Sequence, residues 1–275
     1  MADQASAPPV EASAPAPRGN ASVPPAGPSF PLAELQINAA PFAAFVERVL
    51  RAPETGERLS VHFATAHSVV EAHGDPRLQA ALAAGIVEPD GMPLVWVGRR
   101  SGLVVERVCG PDFMPALAGA GIALGRHHYL YGGAPGVPEE LAAALTARFP
   151  GLLVVGMESP PFRPLTTQED DEMVARINAA RPDYVWIGLG APKQDLWAAD
   201  HRARLDAAAL LAVGAAFDFH AGRRRRAPRW MQRTGTEWLF RLLSEPRRLL
   251  RRYTRTNLAF VRLVLADRRR RGRDG

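Results

Sequence analysis

The sequence predicts an α/β fold in which a mainly parallel sheet is covered on both sides by helices. Segments with helical spacing of apolar residues alternate with short apolar segments across residues 30–221. The short segments are apolar at consecutive positions, which indicates strands buried on both faces. Alternation of strand and helix favours parallel pairing, because each crossover helix then covers a face of the sheet.

The first half of this region contains helical segments separated by two short strands. The helical segments repeat apolar residues every three or four positions, and the strands are continuously apolar. Whether the second helical segment is one helix or a pair is left open. In chain order, we predict a helix over 32–52, a strand over 58–65, helix over 68–84, a short strand ending in a turn over 85–91, and helices over 92–102 and 110–124.

The second half alternates more regularly, and no internal repeat is visible. Glycine turns follow two of its strands, where the chain must reverse direction before the next helix. In chain order, we predict a strand and glycine turn over 127–136, a helix over 137–149, a strand over 151–159, a helix over 167–180, a strand over 183–193, a helix over 194–205, and a closing strand over 209–219.

Charge is distributed unevenly along the chain. Residues 222–275 carry 18 arginines against four carboxylates, a formal charge of +14, so the preceding residues carry −8 of the total of +6. Within this basic region, "EWLFRLLSEPRRLLRRY" (237–253) mixes arginines with leucines and three aromatic residues. Pro246 is expected to divide it into two short helical pieces. A mildly acidic body with a basic tail implies an anionic partner: membrane lipid, a phosphorylated substrate or nucleic acid.

Four regions follow from composition. Residues 1–29 are rich in Ala, Pro and Ser and lack the apolar stretch of a signal peptide, so we expect a disordered leader. We expect the α/β core over 30–221, a basic helical appendage over 222–265, and an Arg-rich disordered tail over 266–275. No apolar run reaches the roughly 18 residues needed to span a bilayer. These features indicate a cytoplasmic protein that lies on a membrane surface.

The strand ends define a site hypothesis. In open parallel sheets, ligands bind beyond the carboxyl ends of the strands. The side chains and turns expected there are Thr65, Asp90, Gly132 with Gly133, Gly190 through Lys193, and Asp218.

Asp90 has two interpretations. It lies on a Pro-Asp-Gly turn directly after a short strand, so it is either a turn carboxylate or a general base at the mouth of the sheet. A carboxylate suits deprotonation of a sugar hydroxyl, because it is already ionised at neutral pH. The turn "LYGGAPGVPEEL" is equally open. Gly132, Gly133 and Gly136 form either a tight turn or a phosphate-binding helix start, and the spacing fits neither common nucleotide-binding signature.

The segment "WIGLGAPKQDLW" is more specific. Gly190 ends a buried strand, and Lys193 and Gln194 follow at the start of a helix, where a cation and an amide suit a diphosphate and sugar hydroxyls. Lys193 is otherwise a solvated helix-start lysine. Arg107 and Asp112 in "ERVCGPD" are expected either to pair with each other or to line the site.

Metal and disulfide chemistry are not indicated. The seven histidines show no zinc spacing, and the acidic segment over 168–173 is interpreted as a solvated helix start that complements the helix dipole. The single cysteine, Cys109, excludes an internal disulfide and is expected to be a small buried apolar residue. His220 is expected to be structural rather than catalytic.

Seven segments together resemble the WecG/TagA/CpsF glycosyltransferase family. They occur in order across about residues 60–257: "PDGMPLVW", "ERVCGPD", "YGGAPGV", "GLGAPKQDLW", "GAAFDFHAG", "RAPRWMQ" and "EWLFRLLSEPRRLLRRY". The resemblance implies a Rossmann-like core with a helical C-terminal appendage. It also implies inverting, metal-independent transfer, without a cofactor, of a sugar from a UDP-sugar to an undecaprenyl-diphosphate-linked acceptor. The typical donor is UDP-N-acetylmannosamine, some relatives use glucose, and the typical acceptor is N-acetylglucosaminyl-diphosphoundecaprenol.

The resemblance also implies residue roles. Asp90 is the expected general base, Gln194 contacts the donor sugar, and Arg107 and Asp218 lie nearby in the pocket. The appendage arginines that match the family pattern are Arg241, Arg248 and Arg251, which are expected to close over the diphosphate as UDP departs. Dimers or higher assemblies and contact with the anionic inner leaflet are expected as well.

This sequence departs from the family pattern in four places, one of which is the segment "AGRRRRAP", which is more basic than the pattern. Where the family has Thr-x-Asn, it reads "FATAHS", so Thr65 or His67 replaces the asparagine and Phe63 the threonine, depending on register. Asp195 stands where the family has Glu, and Thr236 where it has Leu.

Three classes of function compete at this stage. A lipid-linked glycosyltransferase explains the strand-end residues and the basic tail together. A nucleic-acid-binding protein would explain the tail, but the sequence contains no recognisable helix-turn-helix, RRM or OB pattern. A non-catalytic, membrane-associated scaffold is the remaining alternative, and the presence of Asp90, Lys193 and Gln194 weighs against it.

Overall fold

The computed structural model describes residues 27–244 and 246–271, which include one eight-stranded sheet. The sheet order is β1-β2-β4-β3-β8-β7-β5-β6, and every pairing except β1 with β2 is parallel. The strands are β1 Ser29–Leu32, β2 Leu35–Asn38, β3 Leu59–Ala64, β4 Ile86–Pro89, β5 His127–Gly132, β6 Leu153–Glu158, β7 Tyr184–Gly188 and β8 Ala209–Ala212. The predicted α/β class with a mainly parallel sheet is confirmed.

Helices follow most of the strands and cover both faces of the sheet. Those of the core are α1 Phe42–Thr55, α2 Ala66–Gly74, α3 Pro76–Ala83, α4 Met92–Arg100, α5 Gly110–Gly121, α6 Val137–Arg148, α7 Thr167–Ala179, α8 Lys193–His201 and α9 Ala216–His220. Three more follow: α10 Arg229–Thr234, α11 Glu237–Ser244 and α12 Pro246–Arg271. Residues 68–84, left open as one helix or two, contribute to a pair of helices, α2 and α3, with Asp75 capping the second.

Alternate residues of the central strands enter different cores. On β7, Trp186 packs with α1, α5 and α6, whereas Val185 and Ile187 pack with α7 and α8 on the other face. A further core on that second side joins α2, α3 and α4, and Phe260 of α12 is buried in it. Burial of consecutive strand residues on opposite faces explains why the strands are continuously apolar in sequence.

The helix predicted over 32–52 is wrong in its first part. That part forms the β1–β2 hairpin, whose two-residue turn is Ala33 and Glu34, both with positive φ. The helix itself begins only at Phe42. Leu35 and Ile37 alternate toward the core, and Ile37 pairs with Val87 of β4. Their spacing fits a strand as well as a helix, so pairing with β4 decides the outcome.

Two further expectations change near the C-terminus. The closing strand predicted over 209–219 ends at Ala212, and Asp218 lies on the short helix α9. The piece after Pro246 is not short, because α12 runs for 26 residues to Arg271. The sequence-based boundary at residue 266 therefore falls inside this helix. None of the helices in the described ranges is long and apolar enough to cross a membrane.

Candidate active site

A cleft of about 2190 Å³ lies at the carboxyl ends of the parallel strands, where the sequence predicted a ligand site. The structure brings most of the predicted residues to it. Those that line it are Thr65, His67, Asp90, Arg107, Gly133, Gly190, Lys193, Gln194 and Asp218. Gly132 and Gly136 are not among the lining residues. Helix α12 contributes to the lining of the cleft through Phe260, Val261 and neighbouring residues.

Asp90 lies between the end of β4 and the start of α4. Its backbone N–H donates to the carbonyl oxygen of Ala64 at 3.0 Å, which extends the β3–β4 contact by one residue. Gly91 is then the N-cap residue of α4. The Asp90 side chain is 22% exposed and lines the cleft. The local backbone thus places a carboxylate at the mouth of the sheet.

Arg107 holds Asp90 in place and connects it to α11. Its Nε donates to the backbone carbonyl oxygen of Asp90, and its Nη2 lies 3.1 Å from Asp90 Oδ1. The same Nη2 lies 2.9 Å from Oε2 of Glu237, the first residue of α11. The side chains of Arg107 and Glu237 are 19% and 16% exposed. One guanidinium therefore serves two partly buried carboxylates.

The electrostatics of this cluster favour a charged Arg107. Burial acts to lower the pKa of Arg107, but the neighbouring carboxylates of Asp90 and Glu237 outweigh it and raise that pKa above its ordinary value. Cys109 is buried, as predicted, and burial raises the pKa of its thiol. The thiol stays protonated at neutral pH, so Cys109 is not a nucleophile here.

Arg107 does not pair with Asp112, one of the two interpretations of "ERVCGPD". Asp112 instead accepts from Nη2 of Arg226 at 3.0 Å and from the Cys109 thiol at 2.9 Å. Burial opposes ionisation of Asp112, but the Arg226 hydrogen bonds dominate and lower its pKa. Arg226 comes from the basic segment that follows α9. Arg107 and Asp112 therefore belong to two separate ion pairs, Arg107 with Asp90 and Arg226 with Asp112.

The three glycines at the end of β5 and in the turn after it have different structural roles. Gly132 has φ +126°, and a Cβ there would lie 2.6 Å from the carbonyl carbon of Gly188, so this glycine lets β5 pack against β7. Gly133 lines the cleft and donates its N–H to the Gly188 carbonyl at 3.0 Å. Gly136 caps α6 with φ +85°. Of the three, Gly133 is the one that lines the cleft.

Gln194 is buried, and its side-chain amide is engaged by backbone. Its Oε1 accepts from the Gly190 N–H at 3.0 Å, and its Nε2 donates to the Ala212 carbonyl oxygen at 2.7 Å. These bonds tie the turn after β7 to the end of β8. The first role of Gln194 in this geometry is to shape the cleft wall.

Lys193 is the first residue of α8, is exposed and lines the cleft. No described residue forms an ion pair with it. It is also the single lysine of the sequence, in which every other basic side chain besides histidine is arginine. Its ammonium group is available to an anionic ligand.

Thr65 and His67 belong to the start of α2. The Thr65 hydroxyl accepts from the Ser68 N–H in a capping box. The Nδ1 of His67 lies 3.3 Å from the Thr256 hydroxyl of α12, and its Nε2 lies 3.2 Å from Glu71. His67 therefore contacts the appendage, which the sequence did not indicate.

Asp218 and the appendage arginines complete the predicted set. Asp218 Oδ2 lies 3.3 Å from Nε of Arg224 at the edge of the cleft. The backbone of Arg241, Arg248 and Arg251 lies in α11 and α12, but their side chains fall outside what the structure describes. Their role over a diphosphate stays a prediction.

Sequence reasoning missed Glu237 and the apolar wall formed by α12. A signal for Glu237 existed, because it is one of only four carboxylates in the basic region 222–275. The loop over 160–167 also lines the cleft and carries the highly exposed Phe162.

The acidic segment over 168–173 begins α7, as predicted. Glu169 completes a capping box with Thr166, while Asp170 and Asp171 pair with Arg204. Within residues 27–244 and 246–271, no group of three or more His, Cys, Asp or Glu side chains is arranged to hold a metal ion.

Comparison with family models is consistent with this geometry. Residues 30–274 match the model described as "Glycosyl transferase WecG/TagA/CpsF family". The match spans the sheet from the second residue of β1 onward, the cleft and the basic helices. It confirms the resemblance inferred from the sequence.

Proposed function

The chain belongs to the WecG/TagA/CpsF family of glycosyltransferases, which act in cell-surface polysaccharide synthesis, and on that premise we propose a specific reaction for it. The enzyme moves a hexose or N-acetylhexosamine from a UDP-sugar to an undecaprenyl-diphosphate-linked sugar. Transfer proceeds with inversion and without a metal. The observation that supports this most directly is a carboxylate, Asp90, oriented by Arg107 at the mouth of a large cleft.

In this mechanism, Asp90 acts on the acceptor hydroxyl. The carboxylate removes the hydroxyl proton as the oxygen forms a bond to the anomeric carbon of the donor. The bond between that carbon and the UDP oxygen breaks on the opposite face, and its electron pair leaves with UDP. Inversion follows from this single displacement. Arg107, which binds Asp90 through both main chain and side chain, keeps the carboxylate aimed into the cleft.

The departing UDP needs positive charge near its diphosphate. Lys193 offers one ammonium group in the cleft. Arg241, Arg248 and Arg251 are placed on the two helices after Thr236, and we assign them to the diphosphate on the family pattern. Positive groups aimed at a developing charge are among the strongest contributions to catalysis, and Arg pairs well with phosphate oxygens. This arrangement replaces the role that a divalent cation plays in other transferases.

We place the enzyme on the inner face of the cytoplasmic membrane, held as a peripheral protein. Large apolar side chains are exposed on and beside the appendage: Trp96, Trp230, Trp238, Leu239, Leu258, Val261 and Leu265. Tryptophan favours the membrane interface, and each nearby basic residue adds on the order of 1 kcal/mol on an anionic surface. A homo-oligomer is compatible with this proposal, and nucleic acid is not needed as a partner.

The reaction is tested by measuring UDP release with a panel of UDP-sugars and a short-chain lipid-diphosphate sugar as acceptor. Asp90→Asn should lower the rate by about 100-fold or more. Asp200→Asn is the matched control, because Asp200 pairs with Arg77 outside the cleft. A scaffold would release no UDP with any donor. Unchanged release by Asp90→Asn would refute Asp90 as the base.

Membrane attachment is tested separately by sedimentation with vesicles. The protein should sediment with vesicles containing anionic lipid and be released at high salt. Replacing Trp96 and Trp238 together by Ala should weaken sedimentation at low salt. Equal sedimentation with neutral and anionic vesicles would contradict an electrostatic contribution from the basic appendage.

A further inference from the structure

Glu237 is a partly buried carboxylate that the proposed reaction does not use. It begins α11, outside the α/β core, yet its Oε2 lies 2.9 Å from Nη2 of Arg107. That nitrogen also contacts Asp90 Oδ1 at 3.1 Å. Glu237 and Arg107 are 130 positions apart in sequence. The contact therefore joins the appendage to the residue that orients Asp90.

We propose that Glu237 is a positioning residue that divides the charge of Arg107 between two carboxylates and thereby keeps Asp90 basic when the appendage is seated. The proposal rests on the proposed function, in which Asp90 is the general base. Glu237 acts through Arg107 and does not touch the reacting atoms.

The physical reason lies in the sharing of one cation. A guanidinium beside a carboxylate stabilises its ionised form and makes it a weaker base. A second carboxylate on the same nitrogen opposes this effect, both by drawing Arg107 away and by adding negative charge nearby. With three side chains only about one-fifth exposed, solvent screens these effects incompletely. Asp90 then keeps its fixed orientation without losing its affinity for a proton.

Two other titratable groups of the described residues lie beside this cluster, Cys109 and Asp112. Cys109 stays a neutral thiol, because burial raises its pKa. Arg226 donates to Asp112 of α5, and its charge also acts on Glu237, but Arg107 is the described cation in direct contact with Glu237. Among the described side chains, Arg107 is the cation that contacts both Asp90 and Glu237.

The position of Glu237 depends on how the appendage meets the core. Gly235, two residues earlier, packs so closely on α4 that a Cβ there would lie 3.0 Å from Cβ of Met92 and 3.2 Å from Trp96. The Thr236 N–H donates to the Met231 carbonyl at 2.9 Å. Glu237 thus reaches Arg107 only with the α10–α11 junction seated on α4. In that arrangement, Glu237 shares the charge of Arg107 and the Asp90 carboxylate keeps its affinity for a proton. Without it, Asp90 is a weaker base.

The test is the pH dependence of kcat/KM for the full-length protein. The assay measures UDP release from UDP-N-acetylmannosamine or UDP-glucose onto N-acetylglucosaminyl-diphosphoundecaprenol. Glu237→Gln should move the acidic limb to lower pH by roughly one unit. It should also lower the plateau kcat by about three- to tenfold, because the base is weaker. KM for the donor should stay within about twofold. Glu237→Asp should restore part of the plateau rate and of the limb position.

Controls separate this proposal from the function it rests on. Glu47→Gln removes a carboxylate that pairs with Arg51 on α1 and is not one of the ion-pair partners of Arg107, so it should leave the profile unchanged. No UDP release by the wild type with any UDP-sugar of the panel, or an unaffected Asp90→Asn variant, overturns the proposed function and this inference together. If Asp90→Asn is inactive but Glu237→Gln keeps the wild-type acidic limb, the positioning role alone is overturned. A uniform loss at all pH values with a lower Tm would show a purely structural role.

Discussion

The side-chain nitrogen of Gln194 lies 2.7 Å from the carbonyl oxygen of Ala212, which joins α8 to the end of β8. The oxygen of the same amide accepts from the Gly190 N–H. Two turns of the cleft wall are thus held by one buried side chain. The resemblance implied a contact with the donor sugar, whereas the geometry gives Gln194 a scaffolding task.

Gln194→Glu should therefore destabilise the fold before it affects chemistry. A carboxylate oxygen would then face the Ala212 carbonyl oxygen, and because both are acceptors, the hydrogen bond between these side-chain and backbone atoms is lost. The substitution also places a negative charge at a buried position. We expect a loss of about 1–3 kcal/mol in unfolding free energy, measured by chemical denaturation. If stability is unchanged while donor affinity falls, the side chain contacts the donor directly, as the resemblance implied.

Lys193 can be tested by selective labelling, because it is the single lysine in the sequence. An amine-reactive acylating reagent should modify Lys193 and the N-terminal amine. Saturating UDP should protect Lys193 several-fold, since the diphosphate covers its ammonium group, while the N-terminal amine reacts equally with and without UDP. Peptide mass spectrometry measures both sites in one sample.

A matched substitution completes that test. Lys193→Ala should weaken UDP binding by roughly tenfold, about 1.4 kcal/mol, and Lys193→Arg should retain most of it. Labelling of Lys193 at the same rate with and without UDP would place the diphosphate elsewhere.

The regular part of the fold was predictable because local pattern and global burial agree. Strand β7, for instance, reads as consecutive apolar residues ending in glycine, and both of its faces are covered. The β1–β2 hairpin could not be predicted in this way, because the spacing of Leu35 and Ile37 fits a helix as well as a strand. Only the pairing of Ile37 with Val87 of β4 shows that this segment is a strand. Most of the short helix α9 was included in the strand predicted over 209–219, because its buried Phe217 continues the apolar sequence of that strand.

The candidate site was predictable only where it follows strand ends. Asp90 and Lys193 have a sequence signature, because each directly follows a strand or its turn. The bond between Arg107 and Glu237 has none. It depends on how α11 packs against the core, and nothing in the local sequence of either residue specifies a partner 130 positions away.

Glu88 should make stability depend on pH. Its side chain is fully buried on β4, and burial raises its pKa to about 8, although a hydrogen bond from Asn38 acts in the opposite direction. Between pH 4.5 and about 8, the unfolded chain loses this proton while the folded chain keeps it. Stability therefore falls as pH rises through that window. A difference of one pH unit between the folded and unfolded pKa corresponds to about 1.4 kcal/mol, so the total is a few kcal/mol at most.

Glu88→Gln removes this titration while keeping a neutral partner for Asn38. The difference in unfolding free energy between variant and wild type should grow in favour of the variant from about pH 5 to about pH 8. Chemical denaturation at several pH values measures it, and Glu47→Gln, an exposed carboxylate paired with Arg51, is the control. A constant difference across this range would mean that Glu88 is ionised in the folded protein.

His62 and Asp195 form a buried pair that joins β3 to α8. Nδ1 of His62 lies 2.8 Å from Asp195 Oδ1, and both side chains are almost inaccessible to solvent. Removing one partner leaves a buried polar group unsatisfied. Asp195→Ala should cost about 1–3 kcal/mol, whereas Asp195→Asn, which keeps one hydrogen bond, should cost less. Thermal unfolding of the two variants measures this order, and the reverse order would exclude the hydrogen bond as the source of the loss.

Gly132 and Gly190 offer a matched comparison of two glycines with positive φ. At Gly132, a Cβ would lie 2.6 Å from the backbone of Gly188, whereas a Cβ at Gly190 would have no neighbouring atom within 4 Å. Gly190→Ala should cost only the backbone strain of a left-handed residue, about 1–2 kcal/mol. Gly132→Ala adds a steric clash between the new Cβ and the backbone of Gly188, which forces β5 and β7 apart. It should therefore lower the unfolding free energy clearly more than Gly190→Ala does. Equal losses for the two variants would show that strand spacing is not the reason for glycine at 132, and would return it to the set of residues expected to approach phosphate.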